Sequence, residues 1–278
     1  MSPSQSSTQS PKQNLILAAL SPASYTRLLP FLELVHLPVG HAVYEPGLPI
    51  NHLYFPATSI AVRLYEMADG ASTQIGVVGN EGLVGMPFLL GSKISPARVV
   101  VLGAGNAYRV KADLLKKEFE SNEELRRLLL RFAQALITQT EQIAVCNRYH
   151  TIDQQLSYFL LMNLDRLSGN ELHITHEQVA IMLGVRRESV TVAAQKLQTS
   201  GAIHCRRGHL AVVDRQQLEA SAGESYAVVK KEYERLLGSF PPPIGVSTIT
   251  TSPAVSKKAH GLKNILEPGQ NLSTIAQS

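Results

Sequence analysis

Apolar and polar positions change their period twice along this chain. Residues 15 to 37, "LILAALSPASYTRLLPFLELVHL", carry two short helical patterns, with Ser21-Pro22 opening the second. From about residue 35 to 110 the period shortens. "HAVYEPG", "HLYFPATSIAVRLYEM", "STQIGVVGNEG" and "ARVVVLGAGNAYRV" are β-rich runs separated by turn signals such as Pro46-Gly47, Asp69-Gly70 and Gly79-Asn80. Many short strands at close spacing predict a small barrel or sandwich.

From Lys111 the pattern turns helical. Leu125, Leu129, Phe132, Leu136, Gln139, Ile143 and Cys146 are spaced alternately four and three, a heptad seam. A second stripe, Leu130, Ala133, Ile137, Thr140 and Ala144, lies on an adjacent face. The seam predicts dimerisation, one face packing on the β region and the other on a second copy; the alternative is that both stripes are buried within the monomer. "TIDQQLSYFLLMNLDRL" is a further helix, with Thr151 or Asp153 near its cap, and "SGNELHIT" is a turn and short strand.

"THEQVAIMLGVRRESVTVAAQKL" has the internal pattern of a helix-turn-helix. Thr175 suits the N-cap of the first helix, Val179 and Leu183 its inward face, and Ala180 the crossing point. Gly184 stands where the chain must turn tightly. Val190, Ala194 and Leu197 anchor the second helix. Arg186, Arg187, Glu188, Ser189, Thr191, Val192 and Gln195 are left outside or at its open end. A recognition helix places such an end against base edges. Arginine suits guanine O6 and N7, glutamate suits cytosine N4, and the short Ser189 beside free backbone N–H groups suits a phosphate. The plainer alternative, a self-paired solvated charge group, would be preferred for an isolated triplet. "GAIHCRRGHLAVVD" adds two short strands around a basic turn, so that Arg206 and Arg207 can hold phosphates from a wing or simply decorate a hairpin tip.

Composition narrows the picture. With 278 residues, 44% hydrophobic and 17% charged, the chain is globular. Its net charge of +4 is compatible with a nucleic-acid partner without requiring one. Two cysteines, Cys146 and Cys205, fit a reducing compartment, and give neither a disulfide framework nor zinc-ligand spacing. No apolar run approaches membrane-spanning length, and the start lacks a secretion signal. The expectation is a cytoplasmic protein with no membrane partner, no cofactor and no metal.

Here the sequence resembles the Crp/Fnr family of bacterial transcription regulators. The match is strongest in "ITHEQVAIMLGVRRESVTVAAQKLQTSGAI", and extends to "VYEPG", "HLYFP" and "VVGNEGLVGMPFLLG". The resemblance covers about residues 15 to 215. It implies an α+β protein: a cyclic-nucleotide-binding-type β-roll, a long dimerisation helix and a C-terminal winged helix-turn-helix. The expected boundaries are a disordered start over 1–13, the β-roll over 14–120, the dimer helix over 121–148, the winged helix over 149–215, an extra helix over 216–237 and a disordered tail over 238–278. Double-stranded DNA carrying a two-fold symmetric operator, a second copy of the chain and RNA polymerase are the implied partners. By position, Arg187 and Glu188 look like the family's base-reading residues and Ser189 like its phosphate contact. Val192 stands where a further base-reading arginine is common, so the family's best-known operator cannot be copied here.

The implied effector cassette departs from the family pattern. Gly85-Met86 stands where cyclic-AMP binders have Gly-Glu, and Ser95-Pro96 where they have Arg-Ser. Met86 cannot hydrogen-bond a ribose, and Pro96 has no N–H for a phosphate. Gly85 and Arg98 remain weak candidates for an unknown effector. Two cysteines cannot hold the iron–sulfur cluster of the oxygen-sensing members. No nucleophile motif or Gly-rich phosphate loop is present, and Gly79, Gly82 and Gly85 do not precede a helix of a βαβ unit, so no enzyme is expected. The competing reading is a ligand-binding module whose C-terminal domain makes protein contacts.

Overall fold

A computed structural model describes residues 10–167 and 169–238. Of the expected disordered start, residues 1–9 lie outside the described residues. Residues 10–13 are ordered instead: Ser10 caps a single 3-10 turn, Pro11–Gln13. The cause is Asn14, which is fully buried. Its side chain accepts from the N–H groups of Ile16 and Leu17 and donates to the carbonyls of Pro56 and Gly82. That capping opens α1 (Leu15–Ala18), and Ser21 opens α2 (Pro22–Leu28).

Seven strands follow: β1 (Glu33–Leu37), β2 (Ala42–Tyr44), β3 (His52–Pro56), β4 (Ile60–Glu66), β5 (Ser72–Val78), and, after α3 (Met86–Leu89), β6 (Arg98–Gly103) and β7 (Gly105–Lys111). They make two antiparallel sheets, ordered β1-β7-β3 and β2-β6-β4-β5. Leu53, Phe55, Val62, Leu64 and Val100 are among the side chains buried in their shared core. α4 (Ala112–Ser121) then leads into α5 (Glu123–Tyr149), a 27-residue helix about 40 Å long. Asn122 caps α5, and Glu123 and Glu124 in its first turn suit its dipole.

The C-terminal unit contains α6 (Ile152–Leu164), β8 (Glu171–Leu172), α7 (His176–Leu183), α8 (Arg187–Thr199), β9 (Ile203–Arg206) and β10 (His209–Val212). The sheet order is β8-β10-β9. Where one extra helix was expected, there are two: α9 (Arg215–Ala222) and α10 (Glu224–Leu237). Gly223, at φ 69 and ψ −161, breaks them with a conformation no helix contains. Tyr226, Val229 and Tyr233 form a buried apolar face, and α10 lies along α5. Gly238 closes α10 with φ 76; residues 239–278, the rest of the expected disordered tail, lie outside the described residues. Among the described residues no helix is long and apolar enough to cross a membrane.

Candidate nucleic-acid interface

Each local signal in the helix-turn-helix has a geometric counterpart. Thr175 forms a capping box with Gln178: its hydroxyl accepts from Gln178 N–H at 3.2 Å, and Gln178 Oε1 accepts from Thr175 N–H at 2.9 Å. Gly184 ends α7 at φ 67, a left-handed conformation that glycine adopts without a Cβ penalty. Val190, Ala193, Ala194 and Leu197 bury one face of α8. Arg186 is its N-cap residue and Arg187 its first residue, both exposed. Glu188, Val192 and Gln195, spaced four and three, make an exposed stripe. Ser189 is half-buried in the first turn.

The charged groups at this end are only loosely held. Arg187 Nε stands 3.9 Å from Glu177 Oε2, with both side chains largely exposed. An exposed pair at that distance contributes roughly 0–1 kcal/mol, so it is displaced at little cost. Thr191 is less free than its sequence position suggests. Its hydroxyl donates to Arg187 O at 3.1 Å and lies 3.1 Å from His176 Nδ1. Burial, and then the positive charge of Arg187, hold the His176 pKa below its usual value.

β9 and β10 form the wing, turning through Arg207-Gly208 with Gly208 at φ 76. Gln198 Oε1 accepts from Cys205 N–H at 2.8 Å and ties the wing to the end of α8. Arg206 and Arg207 are both exposed. Arg206 Nε donates to His204 Nε2 at 3.2 Å, which leaves Arg207 at the tip as the less constrained cation.

Residues 154–221 match the family model of the Crp-like helix-turn-helix domain. The chain carries a Crp-like helix-turn-helix domain on a Crp/Fnr-type fold. Among solved structures, a transcriptional regulator of the Crp/Fnr family from Eubacterium rectale is similar at 16% identity and a TM-score of 0.61, covering 76% of this chain and 99% of its own. The c-di-GMP responsive global regulator CLP from Xanthomonas campestris is similar at 18% identity and a TM-score of 0.56, covering 69% and 99%. FixK2 from Bradyrhizobium japonicum is similar at 15% identity and a TM-score of 0.57, covering 68% and 96%. No curated protein matches the chain.

In this Crp/Fnr-type fold the effector candidates named from sequence are occupied by the chain itself. Gly85 has φ 110, and a Cβ there would lie 2.2 Å from Leu53 Cδ2 and 2.6 Å from the Tyr44 hydroxyl. Ser95 Oγ donates to Ala97 O at 2.6 Å. Arg98 Nε stands 3.3 Å from Glu45 and Nη1 3.2 Å from Glu66, so two carboxylates already balance its charge. The β-roll cavity lined by Tyr44, Gly85, Met86, Ser95 and Leu136 leaves about 20 Å³ open. That is room for roughly one water, whereas sites for small organic ligands run to roughly 300–1,000 Å³. The arginine lining this cavity is Arg63, which the sequence reading passed over. Burial alone lowers its pKa, and its Cδ and Nη1 pack near Gly76. In sequence it is a single cation inside an apolar strand, a signal that alternation could have flagged.

The heptad seam of α5 corrects the sequence reading of the dimer helix. Leu125, Leu129, Phe132, Leu136, Gln139 and Cys146 are buried by their own chain, and Ile143 is partly buried. The reason lies in β5, an edge strand whose outward backbone groups need partners. Gln139 supplies them: Oε1 accepts from Val77 N–H at 2.7 Å and Nε2 donates to Val77 O at 3.2 Å. Thr140 Oγ1 donates to Ile75 O at 3.2 Å. Gln139 Nε2 also donates to the Tyr233 hydroxyl on α10, at 3.1 Å. The second stripe keeps Leu130, Ile137 and Ala144 exposed, while Ala133 is buried.

Proposed function

We propose that the protein is a sequence-specific transcription regulator that binds a two-fold symmetric operator as a homodimer and recruits or blocks RNA polymerase there. The observation that carries this reading is the exposed N-terminal end of α8, with Arg186, Arg187, Glu188, Val192 and Gln195 free of the core that anchors the helix. Ser189 and the wing residues Arg206 and Arg207 supply phosphate contacts in this reading, and Thr175 sits at the N-terminus of α7, where helix N–H groups favour a phosphate. The two copies meet through Leu130, Ile137 and Ala144. They recur every seven residues on the exposed face of α5.

Cyclic AMP is not the effector in this reading. Met86 and Pro96 supply no ribose acceptor or phosphate donor, Arg98 is committed to two carboxylates, and the cavity is far too small. Genome-wide mapping of bound DNA, followed by selection from a random duplex library, tests the whole proposal. It expects one inverted-repeat motif with half-sites about 10 base pairs apart, or a multiple. Binding without any enriched motif would leave only non-specific attraction and refute it.

A further inference from the structure

The sheet of the winged domain gathers three metal-binding side chains that are widely separated in sequence. Leu172 pairs with Leu210 across β8 and β10, and both are buried on the core side. Because side chains alternate along a strand, Glu171 and His173 point to the opposite face, as does His209. The two imidazole rings stand 4.4 Å apart, centroid to centroid. Candidate ligand atoms of Glu171, His173 and His209 all lie within 4.8 Å of one another.

The contact between Glu171 and His209 is short, yet it forms no hydrogen bond. Nδ1 of His209 lies 2.8 Å from Oε1 of Glu171. That nitrogen is buried and has no hydrogen-bond partner among the described residues. A nitrogen and a carboxylate oxygen this close need a proton or a metal ion between them to offset the repulsion of their lone pairs. Donors around one tetrahedral ion are neighbours that aim at a common point, not at each other, with metal–ligand distances of about 2.0–2.2 Å.

We propose that Glu171, His173 and His209 bind a divalent transition-metal ion of the zinc class. Two imidazoles and one carboxylate are a borderline donor set that favours such ions over magnesium or calcium. Three protein ligands leave a fourth position for water. With neutral imidazoles and one carboxylate, the loaded site adds net positive charge. The ion cross-links β8 to β10, the strand that leaves the basic turn of the wing. Sequence spacing gave no hint of this site, because its halves are joined only by sheet register.

Calorimetric titration of the untagged, chelator-treated full chain with zinc chloride tests this, with cobalt(II) chloride as a spectroscopic probe. The expected result is one ion per chain and a cobalt ligand-field spectrum, with affinity falling at least tenfold in Glu171→Gln and in His173→Ala. Both residues are exposed, and an unchanged circular dichroism spectrum establishes that the fold is kept. No saturable binding to the wild-type chain overturns the proposal. So does equal binding by the His173→Ala/His209→Ala double variant, which would assign the ion to other histidines.

Discussion

Arg166 Nε meets Glu81 Oε1 at 2.7 Å, with neither side chain reached by solvent. This pair joins the β-roll to the end of α6. Glu81 also accepts from Gly79 N–H, and Arg166 donates to Met162 O and lies over the Tyr233 ring at 5.7 Å. Burial opposes the charge on Arg166, but Glu81 and then Tyr233 outweigh it and raise its pKa. A Cβ on Gly79 would lie 2.8 Å from the Arg166 stem, so glycine leaves room for the arginine. Removing one partner leaves the other as an uncompensated buried charge. Arg166→Met or Glu81→Gln should each lower stability to urea unfolding by about 3–5 kcal/mol. The Arg166→Met/Glu81→Leu double variant should recover most of that loss. A double variant as unstable as the two losses summed would show that the two side chains act independently and not as a pair.

The dimer prediction separates the two faces of α5. Phe132 is fully buried, and a Cβ on Gly82 would lie 2.2 Å from its ring. Phe132→Glu should therefore unfold the chain, because burying an unpaired charge costs several kcal/mol. Ile137→Glu changes a half-exposed residue and should leave each monomer folded while dissociating the dimer. Light scattering combined with circular dichroism reads both effects. A dimeric mass retained by Ile137→Glu would remove that face from the interface.

On DNA, Arg187→Ala should cost about 1–3 kcal/mol for the operator and relax base preference at one position per half-site. Arg207→Ala should instead weaken all sequences alike and flatten the salt dependence by about one unit of slope. Binding isotherms on operator and random duplexes at several salt concentrations distinguish these patterns. Loss confined to the operator in Arg207→Ala would move that residue from phosphate to base.

Cyclic AMP should leave operator affinity unchanged. Each missing hydrogen bond to a charged group costs roughly 1.5–3 kcal/mol, so losing the ribose acceptor and phosphate donor weakens affinity by about two to four orders of magnitude. Titration calorimetry should show no micromolar binding. A tenfold rise in operator affinity with the nucleotide would mean that Arg63 or Arg98 has rebuilt the site.

Acid should loosen the N-terminal helices first. Glu124 accepts from Ser24 Oγ at 2.5 Å, and from Ser21 Oγ and N–H at 2.7 and 2.9 Å. These bonds lower its pKa below the ordinary 4.5. A carboxylate depressed in the folded state stabilises it above the unfolded pKa, and that contribution is lost as pH falls through the folded value. Melting temperatures between pH 6 and pH 3 should fall more steeply for the wild type than for Glu124→Gln. Parallel curves would show that the carboxylate charge contributes nothing there.

The sequence by itself determined the features that depend on neighbours along the chain. The Thr175 cap, the Gly184 turn, the buried Val190, Ala194 and Leu197, and the wing turn follow from local dihedral preferences and helical or strand period. Each is fixed within a few residues, so a linear reading suffices. Tertiary structure alone decided which partner each stripe meets. The same four-three spacing serves a dimer seam or an internal core, and the unpaired edge of β5, some 60 residues away, drew Gln139 inward. The placement of Arg63 in the cavity, the Arg166–Glu81 pair and the Glu171–His173–His209 cluster arise the same way. Their proximity depends on sheet register and domain docking, which long-range burial and backbone hydrogen bonding set, and which no local period encodes.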